Sequence, residues 1–98
     1  MPLTTVVNVK TSKCDVYIGR PSVYGNPFKI GYDHETKTTL TRDDVVRKYK
    51  KWLYKPEQSK LRKQAINELS GKSLGCFCKP LACHGDILAD LINSSVDN

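Results

Sequence analysis

Apolar and polar positions follow two rhythms along this chain, and each predicts its own kind of element. Thr4–Val9 is a β-branched, apolar run, which predicts a buried first strand. Asp15–Ile18 predicts a second, shorter strand ended by Gly19. Arg20–Gly31 holds two prolines and two glycines and reads as an ordered loop. Tyr32–Leu40 is polar and rich in threonine, as in a hairpin or an exposed loop. The rhythm then changes to the helical one. Thr41 and Asp44 form a capping box, and Val45, Val46, Tyr49, Trp52 and Leu53 recur at the spacing of one buried helix face. Lys55-Pro56 ends that helix, because a residue before proline disfavours the α region. Pro56 suits the first turn of the next helix, which carries Leu61, Ala65, Ile66 and Leu69 on one side and stops near Gly71. Ser73–Cys78 alternates again in the strand sense, with Leu74, Cys76 and Cys78 on one face and Gly75 and Phe77 on the other. A turn through Lys79-Pro80-Leu81-Ala82 leads to a last helix that starts near Cys83–Asp86 and buries Ile87, Leu88, Leu91 and Ile92. Residues 94–98 form a polar tail expected to fray.

The fold class that follows is α/β. It is a single small domain over residues 1–98, with a sheet of about three or four strands and three helices. Its 98 residues are near the commonest domain size. Such a domain buries roughly two-thirds of its unfolded surface, enough for one modest core and a shallow site rather than an enclosed cavity. Open α/β sheets bind ligands where strands end and the next helix begins. Here that point is Cys78–Asp86. If the strands are parallel, the second strand's end at Gly19-Arg20 lies on the same rim. A working surface built from Tyr17–Gly31 and Cys76–Asp86 is therefore expected.

Composition narrows the classes. Hydrophobic residues make up 39% and charged residues 27%, as in a globular rather than a disordered chain. No apolar run approaches the ~18 residues that cross a bilayer, and Met1-Pro2-Leu3-Thr4-Thr5 lacks the basic and apolar segments of a signal peptide. A cytoplasmic location, without membrane partners, is expected. The four cysteines, Cys14, Cys76, Cys78 and Cys83, would then be thiols, metal ligands or redox groups rather than structural disulfides. The net charge of +6 is concentrated. Between Arg42 and Lys63 stand nine Lys/Arg against three Asp/Glu, while the remainder carries seven of each. Such basic helices can attract nucleic acid or a host protein, or simply form a solvated face.

The candidate chemistry lies in two segments. Cys76-Phe-Cys78-Lys-Pro-Leu-Ala-Cys83-His84 offers three thiols and an imidazole. One reading is zinc held by Cys76, Cys78, Cys83 and His84. The spacing argues against it: structural zinc favours two separated ligand pairs, and adjacent Cys83 and His84 diverge at a helix start. A second reading needs no cofactor. Cys83 at a helix N-terminus, near His84 and Lys79, would have a lowered pKa and serve as a nucleophile, with His84 or Asp86 handling a proton. A third treats the cysteines as buried apolar groups. In the other segment, Arg20 presents a fork suited to phosphate, the Gly25-Asn26-Pro27-Phe28 turn presents an amide that can read a base edge, and Tyr17 and Tyr24 offer stacking surfaces. His34 reads as a surface residue.

At these segments the chain resembles a family, the domain of unknown function 4326, small proteins of bacteria and phages. The resemblance rests on Val16-Tyr17-Ile18-Gly19-Arg20-Pro21-Ser22, on Gly25-Asn26-Pro27-Phe28, on the Tyr49-Lys-Lys-Trp52-Leu53 helix, and on Leu69-Ser-Gly71-Lys72-Ser-Leu74-Gly-Cys76-Phe-Cys78-Lys-Pro80-Leu-Ala-Cys83-His84-Gly85-Asp86-Ile-Leu88. It covers nearly the whole chain. It implies that Arg20, Asn26, Pro27, Cys76, Cys78, Cys83, His84 and Asp86 belong to the shared core of the domain, and that the host cytoplasm is the setting if the protein is phage-encoded. It implies no activity. The functional expectation is a nucleotide- or nucleobase-like anionic ligand in a pocket formed by Cys78, Cys83, His84, Arg20, Asn26, Pro27, Tyr17 and Tyr24, with turnover left open. The alternative is an interaction module that uses the basic helices, with a structural cysteine cluster. A homo-oligomer is compatible with either.

Overall fold

The structure is a computed structural model and describes residues 3–79 and 81–96. Pro80 of the expected turn, residues 1 and 2, and residues 97 and 98 of the expected tail lie outside the described residues.

The strand that organises the sheet is the last one in the chain. β5 (Ser73–Cys76) lies between β1 (Thr5–Asn8) and β2 (Val16–Tyr17) and runs parallel to both. Val6 and Val16 flank Leu74 from either side. Polar bonds fix this register. Ser73 N–H donates to Asp15 Oδ2 at 2.9 Å, and Asp15 N–H donates to Ser73 Oγ at 3.0 Å. Buried Thr4 donates its hydroxyl to Leu69 O, accepts from Gly71 N–H, and exchanges two hydrogen bonds with the Asn93 amide. β1 is half-buried along most of its length rather than buried as its composition predicts, because it is an edge strand. A separate hairpin of β3 (Gly31–Asp33) and β4 (Thr38–Leu40) fills the segment left open between hairpin and loop. The architecture is thus α/β, with three helices and two small sheets.

α1 (Arg42–Leu53) begins at the capping box that the sequence predicts. Asp44 N–H donates to Thr41 Oγ1 at 3.2 Å, and Thr41 N–H donates to Asp44 Oδ2 at 2.9 Å. Pro56 opens a short 3-10 turn, Pro56–Gln58, that leads into α2 (Ser59–Leu69). Gly71 follows at φ +73°, a left-handed conformation suited to glycine. α3 (His84–Val96) extends through residues expected to fray, and Ser95 Oγ donates back to Leu91 O at 2.9 Å. α3 lies against β1 and β5, and α1 and α2 pack on α3. The core joins Ile18, Tyr49, Leu53, Leu69, Leu74, Leu88 and Ile92, all fully buried. Among the described residues, no helix is long and apolar enough to cross a membrane.

The basic run is partly used inside the fold. Arg62 Nη1 donates to Leu53 O and Lys55 O, each at 2.7 Å, closing the break between α1 and α2. Arg47 pairs with Asp44 at 2.9 Å. These contacts engage two of the nine cations of the run in bonds of the fold itself.

Two tyrosines sit inside this core. Tyr49 donates its hydroxyl to Tyr24 O at 2.9 Å, and Tyr24 donates to Glu68 Oε2 at 2.9 Å. Burial raises both phenol pKa values well above 10.0, with the Glu68 carboxylate adding to the effect at Tyr24. A raised folded pKa means that these groups favour the fold up to the ordinary phenol pKa and lose that contribution as pH rises further. Tyr24 and Tyr49 are therefore expected to stay neutral near pH 10 and to ionise as the protein unfolds. An ultraviolet titration of the wild type against Tyr24→Phe and Tyr49→Phe checks this. Ionisation of either group before the loss of circular dichroism contradicts it.

Candidate functional site

Because the three strands of the larger sheet are parallel, Asn8, Cys76 and Tyr17 end them along one edge. Beyond that edge is a cleft of about 750 Å³, within the ~300–1,000 Å³ usual for small-ligand sites. The loop after β2 forms one wall, the start of α1 a second, and the β5–α3 turn a third. Arg20 and Cys83, expected on one rim, both line it.

The β5–α3 wall carries the thiols. The Sγ atoms of Cys76, Cys78 and Cys83 lie within 4.8 Å of one another, and all three residues line the cleft. Straight strand geometry would keep Cys76 and Cys78 further apart. The chain instead leaves the strand after Cys76, and Asn8 Nδ2 holds the next stretch by donating to Lys79 O at 2.7 Å and Phe77 O at 3.4 Å. Cys83 precedes the first residue of α3 and acts as its cap. Its Sγ accepts from Gly85 N–H at 3.4 Å, and its own N–H donates to Asp86 Oδ2 at 3.2 Å. Asp86 also binds Lys79 Nζ at 2.6 Å, a bond that raises the lysine's pKa. A side chain at Gly85 would meet Ile18 Cδ1 at 2.8 Å, so glycine lets α3 start close against the sheet.

His84 is buried and points inward. Its Nε2 lies 2.9 Å from Ile18 O. A carbonyl only accepts, so Nε2 carries the proton and Nδ1 is the acceptor that faces the Cys83 thiol, with Sγ 3.6 Å away. Burial lowers the His84 pKa and keeps the ring neutral, against the opposing pull of the Ile18 hydrogen bond. The expected lowering of the Cys83 pKa does not occur. Burial pushes it up, the adjacent Cys76 thiol adds to the rise, and the single Gly85 N–H does not offset them. The sequence indicated the helix end but not the depth at which it lies.

The opposite wall follows Arg20, whose peptide bond to Pro21 is cis. Tyr17 Oη donates to Arg20 O at 3.3 Å, and the Tyr17 ring meets Phe77 edge-on at 5.8 Å. Asn26 reaches the cleft, but its amide serves the loop. Nδ2 donates to Val45 O at 3.0 Å, and Oδ1 accepts from Phe28 N–H at 2.9 Å. It therefore ties the loop to α1 instead of presenting a free reading edge.

Of the residues expected at the site, the structure brings Tyr17, Arg20, Asn26, Cys76, Cys78, Cys83 and His84 together. It places three elsewhere. Tyr24 is buried with its hydroxyl on Glu68, so it offers no stacking face. Pro27 is exposed outside the lining. Asp86 is engaged with Cys83 N–H and Lys79. His84 also stands outside the thiol group, although its Nδ1 is 3.6 Å from Cys83 Sγ, so the expected divergence of these two neighbouring side chains does not occur. Of the other lining residues, Phe28, Lys29 and Phe77 lie within the two expected segments, where the sequence assigns them no role, and Arg42 lies outside both segments. Arg42 opens α1, and its Nη1 donates to Ala82 O at 3.4 Å, but in the sequence it is lost among eight other cations. Phe77 is 58% exposed, a large apolar side chain left at the rim. Its alternation phase, opposite to that of the thiols, was the available signal.

Comparison with known proteins relates the sequence of this chain to others. A protein of Enterobacteria phage T4, described as "Uncharacterized 12.4 kDa protein in nrdA-td intergenic region", is 36% identical over 94 residues, spanning 93% of this chain and 79% of that protein. No solved structure gives a significant match. The sequence profile of DUF4326, "Domain of unknown function (DUF4326)", matches residues 4–94, which include every strand of the larger sheet, the Arg20 loop and the thiol turn. The chain belongs to the DUF4326 family.

Proposed function

We propose that the cleft at the strand ends binds a small anionic ligand with a planar ring, of the nucleotide or nucleobase type. One observation carries the reading. Three cations, Arg20, Lys29 and Arg42, line the cleft, and no carboxylate does so among the described residues. None of the three makes an ion pair among the described residues. Cations gathered without carboxylate partners in a concave, partly apolar site favour an anion. Phe28, Phe77 and Tyr17 supply flat apolar surface, and a volume of about 750 Å³ accommodates a mononucleotide-sized molecule. In this reading Arg20 and Arg42 grip a phosphate or carboxylate from two sides, and the ring lies against Phe77. Cys78 and Cys83 form the polarisable end wall. The neutral, high-pKa state of Cys83 and the engagement of His84 with Ile18 favour binding over turnover.

Titration calorimetry with a panel of ribonucleoside monophosphates, free bases and inorganic phosphate tests the reading. A bond from a guanidinium to an anion contributes about 1.5–3 kcal/mol. Arg20→Ala or Arg42→Ala should therefore weaken binding roughly ten- to a hundredfold. Lys60→Ala, on α2 away from the cleft, should leave it unchanged. A wild-type protein that binds none of the panel, or arginine variants that bind as well as the wild type, would overturn it.

A further inference from the structure

We infer that Cys76, Cys78 and Cys83 form a three-thiolate site for a soft divalent metal of the zinc type, with its fourth coordination position open to the cleft. The first ground is distance. Three Sγ atoms lie within 4.8 Å of one another. With zinc–sulfur bonds of about 2.3 Å, tetrahedral thiolates stand about 3.8 Å apart. Closing on a metal thus requires shifts of no more than about an ångström, which side-chain rotation supplies.

The second ground is how the three arrive there. They come from three different local structures: the last residue of β5, the bent stretch that follows, and the residue capping α3. Thiols serving only as small apolar groups need no convergence of their sulfur atoms. Here Asn8, from another strand, holds the bent stretch through two hydrogen bonds, and so sets where Cys78 stands. Gly85 N–H points at Cys83 Sγ, the kind of outer bond that steadies a metal-bound thiolate.

The third ground decides between an open and a closed site. A closed structural zinc site has a fourth protein ligand. His84 donates from Nε2 to Ile18 O, and although its Nδ1 is 3.6 Å from Cys83 Sγ, it does not come within 4.8 Å of all three sulfurs. All three cysteines line the cleft, so the vacant apex of a tripod of sulfurs faces it. Three thiolates around a divalent metal carry one net negative charge, and Arg20, which makes no ion pair among the described residues, lines the same cleft. On binding, each thiol releases its proton to solvent as its sulfur takes the metal. Sulfur donors select zinc over calcium and magnesium, which prefer oxygen.

The inference is independent of the ligand reading, since it is measured with metal alone. Metal-free protein is titrated with cobalt(II), which gives ligand-field bands in the visible and thiolate charge-transfer absorption in the near ultraviolet. The expected result is saturation at one cobalt per chain, bleaching of the bands by zinc, unchanged spectra in Cys14→Ser, and loss of charge transfer in Cys78→Ser. Cys78 is only half-buried, so this variant spares the core. Added azide should shift the visible bands by entering the open position. Absence of charge transfer in the wild type, or its persistence in Cys78→Ser, would refute the site. Bands that ignore azide but collapse in His84→Ala would refute the open position in favour of a closed one. Cobalt binding with no nucleotide binding would leave this site standing and remove only the anion proposal.

Discussion

Replacing Leu74 by alanine is expected to cost about 2–5 kcal/mol of stability, the range for deleting a fully buried leucine side chain from a close-packed core. Leu74 has no exposed surface and stands in the middle of β5, flanked by Val6 on one side and Val16 on the other. It also belongs to the cluster that joins Ile18, Leu69, Leu88 and Ile92. A four-residue strand offers little room to collapse around the vacancy, because its backbone is bonded to neighbours on both edges. Domains of this size have total stabilities of about 5–15 kcal/mol, so the loss would be a large share. Urea unfolding should show a lower midpoint with an unchanged slope. A loss under about 1 kcal/mol would mean that the core is not organised on β5.

The second large effect is expected at His84. Alanine there removes a buried ring that meets Tyr49 edge-on at 5.0 Å and leaves the Ile18 carbonyl without its donor. An unsatisfied buried polar group costs about 1–3 kcal/mol, and lost packing adds to this, for a total of roughly 3 kcal/mol. His84→Phe separates the two contributions. It restores apolar volume beside Tyr49 but not the hydrogen bond, so it should recover part of the loss and leave about 1–3 kcal/mol. Full recovery by phenylalanine would show that the bond to Ile18 contributes nothing. Nitrogen NMR of the wild-type ring should report the proton on Nε2, and a proton on Nδ1 would contradict the geometry.

The sequence revealed most where the governing chemistry is local. The Thr41 and Asp44 capping box is complete within four residues, and it formed as expected. The shared rim was legible because parallel strands align their C-terminal ends whatever the details of the loops. It failed where a partner is remote. Tyr24 resembled a displayed ring until Glu68, 44 residues on, took its hydroxyl. The Asn26 amide looked free, but Val45 O accepts from it across 19 residues. The thiols were judged by their spacing along an extended chain, and the bend held by Asn8 made that spacing irrelevant. The lowered Cys83 pKa follows from the helix end with His84 and Lys79 nearby, but burial, which the local sequence does not show, outweighs them.

The strand order β1-β5-β2 has a consequence for synthesis. While the ribosome makes the first seventy residues, β1 and β2 have no strand to lie against, since the one that joins them has not yet emerged. The nascent chain can form α1, α2 and the small hairpin from nearby contacts, but the main sheet must wait for long-range closure, which is the slow part of assembling such topologies. The rim, and whatever it holds, therefore comes into being late and all at once. A chain cut short before Ser73 would carry Arg20 and the aromatic loop but have no cleft to put them in.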